Sequence, residues 1–315
     1  MKAVAHTFTD IELPKPTPAG HDLLVKVEAV SVNPVDYKQR KQTSGGPRVL
    51  GWDAAGTVEA VGSDVTLFKP GDAVYYAGDV TRPGCDSEFH LVDERIAGRK
   101  PKKLDFAQAA AVPLTAITAW EAFFDRLKVQ SGRSMLIIGG AGGVGSIGIQ
   151  LARIAGLHVI ATASRPESVA WVKELGAHEV VSHRNLVKEV GRQVDYIANF
   201  NDLDPHWEAM SELIAPQGAM VAITGFTKPA SMDAARAKST TLCWELMFTR
   251  PRFKTPDMIE QHKLLNQVAD WLDSGKVRGT LRETLSPINA ANLRKAHEKL
   301  ESGTMIGKLV LKGWS

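Results

Sequence analysis

Short apolar runs separated by turn residues dominate the first hundred positions of the chain. Residues 23–30 and 56–62 are long enough to be full β-strands, and Val74–Ala77 and Glu88–Val92 are shorter candidates. Clusters of glycine and proline at 16–20, 45–47 and 69–72 separate these runs. Many short strands punctuated in this way are typical of a β-barrel or a β-sandwich.

After Pro101 the pattern changes, and helical and strand patterns alternate. Helices are predicted at Phe106–Val112, Ile117–Leu127, Gly145–Ala155, Glu167–Leu175 and Pro205–Ile214. Strands are predicted at Ser134–Gly139, His158–Ala163, Gln193–Ala198 and Gly218–Thr224. This alternation predicts a parallel sheet covered by helices on both faces. Further helices at Glu260–Leu272 and Ala290–Leu300 and strands at Thr280–Leu285 and Gly307–Leu311 complete the chain.

Length and composition narrow the class of protein. A chain of 315 residues corresponds to about two domains. The formal net charge is only +3, from 38 basic and 35 acidic residues, so neither a nucleic-acid nor a membrane partner is indicated. The two cysteines, Cys85 and Cys243, exclude a disulfide framework and fit a reducing cytoplasm. Residues 1–10 lack a signal-peptide pattern, and no apolar run reaches the roughly 18 residues that a membrane helix needs.

Gly140, Gly142 and Gly145 form a G-x-G-x-x-G pattern between a predicted strand and a predicted helix. In that context the pattern indicates a dinucleotide-binding turn. The first glycine allows a tight turn, the second lets the backbone approach a pyrophosphate, and the third lets the helix pack on the strand. Gly143 and Val144 belong to the same turn, where the helix N-terminus offers N–H groups to phosphates. The alternative, a flexible glycine-rich loop, leaves the flanking strand and helix unexplained.

The end of the next strand discriminates between NAD and NADP. NAD sites place Asp or Glu there, to bind the ribose 2′-hydroxyl. Here the strand ends in Ser164 and Arg165, which can donate a hydrogen bond and pair with a 2′-phosphate. NADPH is therefore the predicted cofactor, unless Arg165 is only a solvated loop charge. Asn199, Thr224 and Gly225 follow other strands at the edge where open α/β sheets bind ligands, and they are further cofactor candidates.

Five more segments carry a resemblance to a known family, and they are Asn33–Asp36, Gly51–Val58, Phe68–Asp72, Ala110–Thr115 and Gly307–Leu311. With the glycine turn, they resemble the medium-chain dehydrogenase/reductase superfamily, in particular its quinone oxidoreductase branch with the bacterial zinc-type alcohol dehydrogenase-like proteins. The resemblance implies an α/β protein with a GroES-like β-barrel catalytic domain at 1–117 and 256–315. A Rossmann domain with a doubly wound parallel sheet would be inserted at 118–255. Relatives also imply a homodimer, in which edge strands such as residues 239–244 pair across the axis.

Zinc-dependent relatives hold a catalytic metal through a cysteine near the first of these segments and a histidine in the second. In this sequence the first segment has no cysteine, and Trp52 stands where the histidine would be. Two cysteines also cannot supply the four that a structural zinc lobe needs. We therefore predict that no metal is bound. Cys85, Glu88 and His90 form the remaining pattern, which is either a metal site or a barrel strand with Cys85 facing away.

Candidates for the chemistry come from the same resemblance, which places Asn33 and Asp36 at the floor of the cleft near the nicotinamide. The amide of Asn33 can donate to an acceptor oxygen, or it can cap the turn at Pro34. The carboxylate of Asp36 can hold Lys38 or a water, or it can lie solvated in the turn. Both residues are therefore catalytic candidates with a structural alternative.

Aromatic residues and two more polar ones complete the candidate site. Tyr37 and Tyr75 are candidate proton donors, because a phenol both donates and accepts, and their alternative role is packing. Trp52 either forms an apolar wall for a flat acceptor or fills the core. Thr118 matches the superfamily threonine beside the nicotinamide, and Lys308 is a cofactor candidate by resemblance alone.

Three functions are compatible with these residues. The favoured one is an NADPH-dependent oxidoreductase that transfers hydride to a quinone or a conjugated enone, because such acceptors need no Lewis acid. The second is a zinc alcohol dehydrogenase with unfamiliar ligands. The third is an NADPH-binding sensor or scaffold without turnover.

Overall fold

The computed structural model describes residues 1–314, and the chain divides into two compact units. The terminal unit consists of Met1–Ile117 with Phe248–Ser315, and the inserted unit consists of Thr118–Met247. The second boundary thus lies before residue 248, and not after residue 255, as the sequence predicts. Phe248 packs edge-to-face on Trp52, with 6.4 Å between ring centroids, and Arg250 pairs with Asp257, so this segment belongs to the terminal unit.

The strands are β1 (Lys2–Ala5), β2 (Thr9–Glu12), β3 (Asp22–Ser31), β4 (Ala54–Val61), β5 (Ala73–Tyr76), β6 (Phe89–Asp93), β7 (Ala97–Arg99), β8 (Ser134–Ile138), β9 (His158–Thr162), β10 (Glu179–Val181), β11 (Val194–Asn199), β12 (Ile214–Ala222), β13 (Thr241–Trp244), β14 (Leu281–Leu285) and β15 (Lys308–Lys312). The helices are α1 (Pro34–Gln42), α2 (Phe106–Ala110), α3 (Pro113–Trp120), α4 (Gly143–Ile154), α5 (Pro166–Glu174), α6 (Leu186–Val190), α7 (Trp207–Leu213), α8 (Asp233–Ala237), α9 (Thr249–Phe253), α10 (Glu260–Ser274) and α11 (Ala290–Glu301). Glu121–Arg126 forms a π-helical turn, and Glu94–Ile96 and His183–Asn185 form 3₁₀ turns.

The terminal unit is built on a seven-stranded sheet in the order β14-β15-β3-β4-β5-β7, with β6 also paired to β3. β15 lies antiparallel to β3, with Val310 opposite Ser31, so the end of the chain completes a sheet that its beginning starts. Valines and leucines such as Val25, Val58 and Leu309 fill the core beneath this sheet. The predicted return of the C-terminal segment to the β-rich domain is therefore confirmed.

The inserted unit contains six parallel strands in the order β10-β9-β8-β11-β12-β13. This is the doubly wound order of a dinucleotide-binding sheet, and it confirms the predicted fold class. The carboxyl ends of β8, β11 and β12 are neighbours, because these strands are adjacent and parallel. Leu136, Ile138, Ile197 and Met220 are among the buried side chains that pack one face of the sheet.

The structure departs from the sequence analysis mainly at short or polar elements. The predicted helix Ile117–Leu127 begins earlier, at Pro113, and changes to the π-helical turn at Glu121. The predicted turn at Pro34 is the first turn of α1, whose single fully buried side chain is that of Asp36. A helix without an apolar stripe leaves no periodic signal in the sequence. None of the helices within residues 1–314 is long and apolar enough to cross a membrane.

Candidate functional site

The glycine turn joins β8 to α4 in the inserted unit. Gly139, just before the predicted motif, has a φ of +83°, and its N–H donates to Thr162 Oγ1 at 2.9 Å. A Cβ on Gly140 would lie 3.0 Å from the Thr162 carbonyl oxygen, and one on Gly145 would lie 2.2 Å from the Gly139 carbonyl oxygen. The tight turn was predicted at Gly140, but the positive φ falls on Gly139. Gly140 is needed for the close approach of β9, and Gly145 is needed for helix packing, as predicted.

The N-terminus of α4 has little around its N-cap residue. Gly142 is the N-cap, with an extended backbone (φ −71°, ψ 176°), and a Cβ there would meet only the Gly139 oxygen, at 3.4 Å. The first N–H groups of a helix have no acceptor within the helix and lie at the positive end of its dipole. Gly142, Gly143 and Val144 are half-buried at this end. The turn therefore fits the pyrophosphate of a dinucleotide.

Polar and basic side chains gather at the carboxyl ends of β9 and β10. These strands pair in parallel, with Thr162 opposite Val181. Ser164 Oγ lies 2.7 Å from His183 Nδ1, and both side chains are exposed. Arg165 and Arg184 are also exposed after the same two strands. One hydroxyl, one imidazole and two guanidinium groups can bind an anion such as a phosphate monoester.

His183 and Arg184 escaped the sequence analysis. His183 lies 19 positions beyond Ser164, after a strand of only three residues. So short a strand gives no periodicity, and the pairing with β9 cannot be seen in one sequence. The available signal is a basic pair that follows the apolar dipeptide Val180-Val181 after one serine, Ser182.

The loops at the carboxyl ends of β11 and β12 hold other predicted cofactor residues. Asn199 is buried, and its amide nitrogen donates to the Asp202 carbonyl oxygen at 3.2 Å while its oxygen accepts from the Asn201 N–H at 3.0 Å. This side chain shapes its own loop. Thr224 is half-buried and donates to the Asn201 carbonyl oxygen at 3.2 Å, and Gly225 beside it is exposed. Thr118 is buried in α3.

A buried polar cluster, formed by Asn33, Asp36, Asp53 and Lys308, lies in the terminal unit. None of the four residues is more than 2% exposed. The Lys308 ammonium, on β15, is 3.2 Å from the Asp53 carboxylate and donates to Asn33 Oδ1 at 2.5 Å. It also donates to the carbonyl oxygen of Val32 at 2.9 Å. All three ammonium hydrogens therefore have acceptors inside the protein.

The same cluster ties the first turn of α1 to neighbouring segments. Asn33 Nδ2 donates to Asp53 Oδ2 and to the carbonyl oxygen of Ser31, both at 3.1 Å. The other Asp53 oxygen accepts from the Leu114 N–H at 3.2 Å. Asp36 Oδ2 accepts from the Asn33 backbone N–H at 2.7 Å, which is the capping arrangement of a helix N-terminus. The ion pair thus joins the end of β3, the start of α1, β15 and the start of α3.

Burial changes the protonation of this cluster. Desolvation raises the pKa of Asp36 to about 7 and that of Asp53 to about 6, although the Lys308 charge lowers both. Desolvation also lowers the pKa of Lys308, opposed by the two carboxylates. Asp36 Oδ1 has no hydrogen-bond partner within residues 1–314. Two carboxyls with one ammonium in a buried site retain a proton more readily than exposed carboxyls do.

These contacts correct three predicted roles. Asn33 cannot offer its amide to an acceptor, because both N–H groups are used inside the cluster. Asp36 is neither solvated nor bound to Lys38, because it is buried against the Asn33 backbone. Lys308 is not placed to bind a cofactor, because its ammonium neutralises Asp53 in the interior.

Two of the three aromatic candidates are buried, and one is half-buried. Tyr75 is fully buried, and its hydroxyl donates to the Leu265 carbonyl oxygen at 2.6 Å. Burial also raises its pKa, so Tyr75 cannot serve as the proposed proton donor. Trp52 is also fully buried, with its indole N–H donating to the Asp79 carbonyl oxygen at 3.0 Å, so it fills the core and does not wall an acceptor. Tyr37 is half-buried on α1, with Lys41 stacked over its ring at 5.1 Å. Tyr37 stays a candidate.

The donor groups present do not fit a zinc ion. The Cys85 thiol is fully buried, and burial raises its pKa. Both ring nitrogens of His90 are engaged, with the Tyr76 hydroxyl at 3.1 Å and the Pro83 carbonyl oxygen at 3.0 Å. Glu88 accepts from the Lys2 backbone N–H. Across residues 1–314, no group of three or more His, Cys, Asp or Glu side chains is arranged to hold a metal ion.

Comparison with known proteins places these two units in one family. A model of the alcohol dehydrogenase GroES-like domain matches residues 19–113, and a zinc-binding dehydrogenase model matches residues 175–311. A zinc-type alcohol dehydrogenase-like protein of Staphylococcus aureus is 45% identical over 96% of this chain and 94% of its own length. The 2-methylene-furan-3-one reductase of Solanum lycopersicum is 32% identical over 92% of this chain and 71% of its own length. The quinone oxidoreductase of Pongo abelii is 30% identical over 94% of this chain and 90% of its own length.

Solved structures show the same likeness. A Rhizobium etli protein, provisionally named a zinc-dependent alcohol dehydrogenase, superposes with a TM-score of 0.96 at 53% identity and covers 100% of this chain and 98% of its own. The mycobacterial protein Rv1454c in complex with NADPH superposes with a TM-score of 0.85 at 25% identity, covering 99% and 100%. The chain therefore belongs to the medium-chain dehydrogenase/reductase superfamily of oxidoreductases.

Proposed function

We propose that this protein is an NADPH-dependent oxidoreductase that transfers hydride to a quinone or a conjugated carbonyl acceptor without zinc. The observation that carries the proposal is the anion-binding group after β9 and β10, beside an intact glycine turn. Ser164 and Arg165 stand where an NAD site would place a carboxylate, and His183 and Arg184 follow the neighbouring strand, with His183 in contact with Ser164. Cationic and hydroxyl groups there favour a ribose 2′-phosphate over a free 2′-hydroxyl.

Each part of the cofactor has residues that fit it. The N-terminus of α4, at Gly142–Gly145, would hold the pyrophosphate, and Ser164 with Arg165 would hold the 2′-phosphate. When bound, NADPH supplies the hydride, and the protein supplies binding and orientation. The buried polar cluster in the terminal unit holds the first turn of α1 rigid, and so fixes Tyr37, the half-buried phenol, on that turn. Tyr37 is the group that we assign to deliver the proton that accompanies the hydride.

The acceptor class follows from the donor set and from two relatives. Without groups that fit zinc, nothing in the described residues would polarise a plain alcohol or ketone as a Lewis acid does. Quinones and conjugated enones accept hydride with only hydrogen-bonding help. One relative is named a quinone oxidoreductase, and another is named for reducing a methylene furanone. Both names point to the same type of acceptor.

Cofactor preference and metal content test this proposal together. Protein treated with a chelator should bind NADPH at least about tenfold more tightly than NADH, because at least one charge-assisted hydrogen bond is lost with NADH. Equal affinity for the two cofactors would contradict the assignment of Ser164 and Arg165. Zinc found at one equivalent per chain, and required for turnover, would favour an alcohol dehydrogenase. Tight NADPH binding without reduction of any quinone or enone would favour the sensor or scaffold.

We also propose that two copies associate through β13. This strand pairs with β12 and lies at the edge of the six-stranded sheet. Trp244 and Leu246 at its end are 49% and 48% exposed, and an open edge with apolar side chains favours pairing with a second strand. A dimer in light scattering that becomes a monomer in Leu246→Glu would support the proposal. A monomeric wild-type protein would contradict it.

A further inference from the structure

Two glutamates of the inserted unit are buried against each other, away from the glycine turn. Glu121 begins the π-helical turn after α3, and Glu245 follows the edge strand β13. They are 0% and 1% exposed, β13 contacts the π-helical turn, and the two carboxyl groups interact electrostatically. Arg126, from the same π-helical turn, donates through Nε to Glu245 Oε2 at 3.0 Å. Buried acidic pairs are costly, so this one calls for a function.

Charge balance favours one retained proton in this pair. Two ionised carboxylates in contact would repel each other strongly in the interior, and Arg126, which is 34% exposed on its side chain, neutralises only one of them. Burial, with the neighbouring Glu121 charge, raises the pKa of Glu245 to about 9, and Arg126 opposes this shift. The Cys243 thiol on β13 is the other titratable group that interacts with the pair, and its pKa is also raised by burial.

The pair connects the end of an edge strand to a segment on another part of the unit. Trp244 and Leu246, on either side of Glu245, are largely exposed, so Glu245 is the inward-facing side chain at this point. Its backbone N–H donates to the Ala222 carbonyl oxygen at 2.9 Å, which continues the pairing with β12. Glu245, through Arg126 and Glu121, thus attaches the strand end to residues 121–126.

We propose that Glu121 and Glu245 form a proton-operated latch that holds the carboxyl end of β13 against the π-helical turn. The latch is closed while the two carboxyls share one proton. It opens when that proton is released to solvent, because the two carboxylates then repel each other. No other group is oxidised, reduced or transferred.

Proton linkage fixes how opening depends on pH. In the open state both carboxyls are solvated and ionise in the ordinary range of about 4.3. In the closed state one proton is retained up to pH about 9. Opening therefore releases one proton between these limits, and the opening constant rises by up to tenfold per pH unit.

Amide hydrogen exchange on the full chain tests the latch. We expect protection of the amides of residues 241–246 and 121–127, corrected for intrinsic exchange, to fall by up to tenfold per pH unit between pH about 6 and about 8. Glu245→Gln and Glu121→Gln keep the shape of the pair but remove the shared proton, so protection there should no longer depend on pH. Glu189→Gln, an exposed glutamate on α6, is the matched control and should retain the wild-type dependence.

Two results would overturn the proposal. One is pH-independent protection of these segments in the wild-type protein. This measurement does not depend on whether any variant folds. The other is a wild-type pH dependence that survives in both Glu→Gln variants. Either result would assign the pair a static structural role.

Discussion

The Lys308 ammonium lies 3.2 Å from the Asp53 carboxylate, and both side chains are buried. The contact joins the last strand of the chain to the segment before β4, across more than 250 positions of sequence. It also holds Asn33 and, through Asn33, the first turn of α1. The Lys308–Asp53 ion pair thus fixes the first turn of α1, where Tyr37, the assigned proton donor, lies.

Replacing Lys308 should destabilise the protein strongly. Lys308→Met removes the ammonium that compensates Asp53, so the buried carboxyl must either stay charged without a partner or take up a proton, and we expect a loss of about 3–5 kcal/mol in the free energy of unfolding. Lys299→Met is the matched control, because Lys299 pairs with Glu283 at the surface and should cost about 1 kcal/mol or less. Denaturant unfolding measures both. Equal losses in the two variants would show that the buried pair does not carry the stability that we assign to it.

A double variant separates the ion pair from packing. In Asp53→Asn with Lys308→Met, neither buried charge remains, so part of the loss in Lys308→Met should be recovered. Strict additivity of the two single losses would contradict a direct coupling between the residues.

Stability should depend on pH through Asp36. Its pKa is raised to about 7 in the folded protein, so the folded state binds more protons than the unfolded state between pH about 4 and about 7. The stabilisation is therefore complete below about pH 4 and is lost as the pH rises through 7, with a slope of up to about 1.4 kcal/mol per pH unit. Asp36→Asn should remove this share of the slope in denaturant unfolding. Asp64→Asn, at an exposed position, is the control and should leave the slope unchanged. An unchanged slope in Asp36→Asn would contradict the raised pKa of Asp36.

The glycine turn should not accept a side chain at Gly145. Gly145→Ala places a Cβ 2.2 Å from the Gly139 carbonyl oxygen, so the backbone of the turn must shift. We expect a loss of about 1–3 kcal/mol in stability and at least a tenfold loss of NADPH affinity. Gly279→Ala meets no atom within 4 Å and is the control. Normal affinity in Gly145→Ala, measured by cofactor fluorescence titration, would contradict this role of the turn.

Arg165 should set the preference for NADPH. In Arg165→Ala we expect NADPH affinity to fall by about 1.5–3 kcal/mol, the value of a hydrogen bond to a charged group, while NADH affinity stays unchanged. Arg133 precedes the amino end of β8, and its guanidinium pairs with Asp195. Arg133→Ala is the control and should change neither the NADPH affinity nor the NADH affinity. An equal loss for both cofactors would assign Arg165 a general structural role.

Sequence patterns predicted the fold well and the terminal-unit site poorly, for identifiable reasons. Strands such as β3 and β8 and the glycine turn carry local periodicity and spacing, so their existence followed from the residues alone. Asp53 and Lys308 meet only because β15 pairs with β3, and no local pattern encodes that contact. For the same reason the sequence suggests Asn33, Tyr75 and Trp52 as site residues, although their polar groups are satisfied inside the protein. Residue type showed which chemistry was available, and only burial showed that it was already used.

The central claim is that this protein moves hydride from NADPH to a conjugated acceptor without metal. The most direct measurement uses chelator-treated protein, NADPH carrying deuterium at the transferable position of nicotinamide C4, and one quinone and one enone as acceptors. We expect the metal-free protein to reduce both acceptors. Deuterium should appear at the β-carbon of the reduced enone. No transfer to either acceptor by metal-free protein, with transfer restored by zinc, would contradict the account.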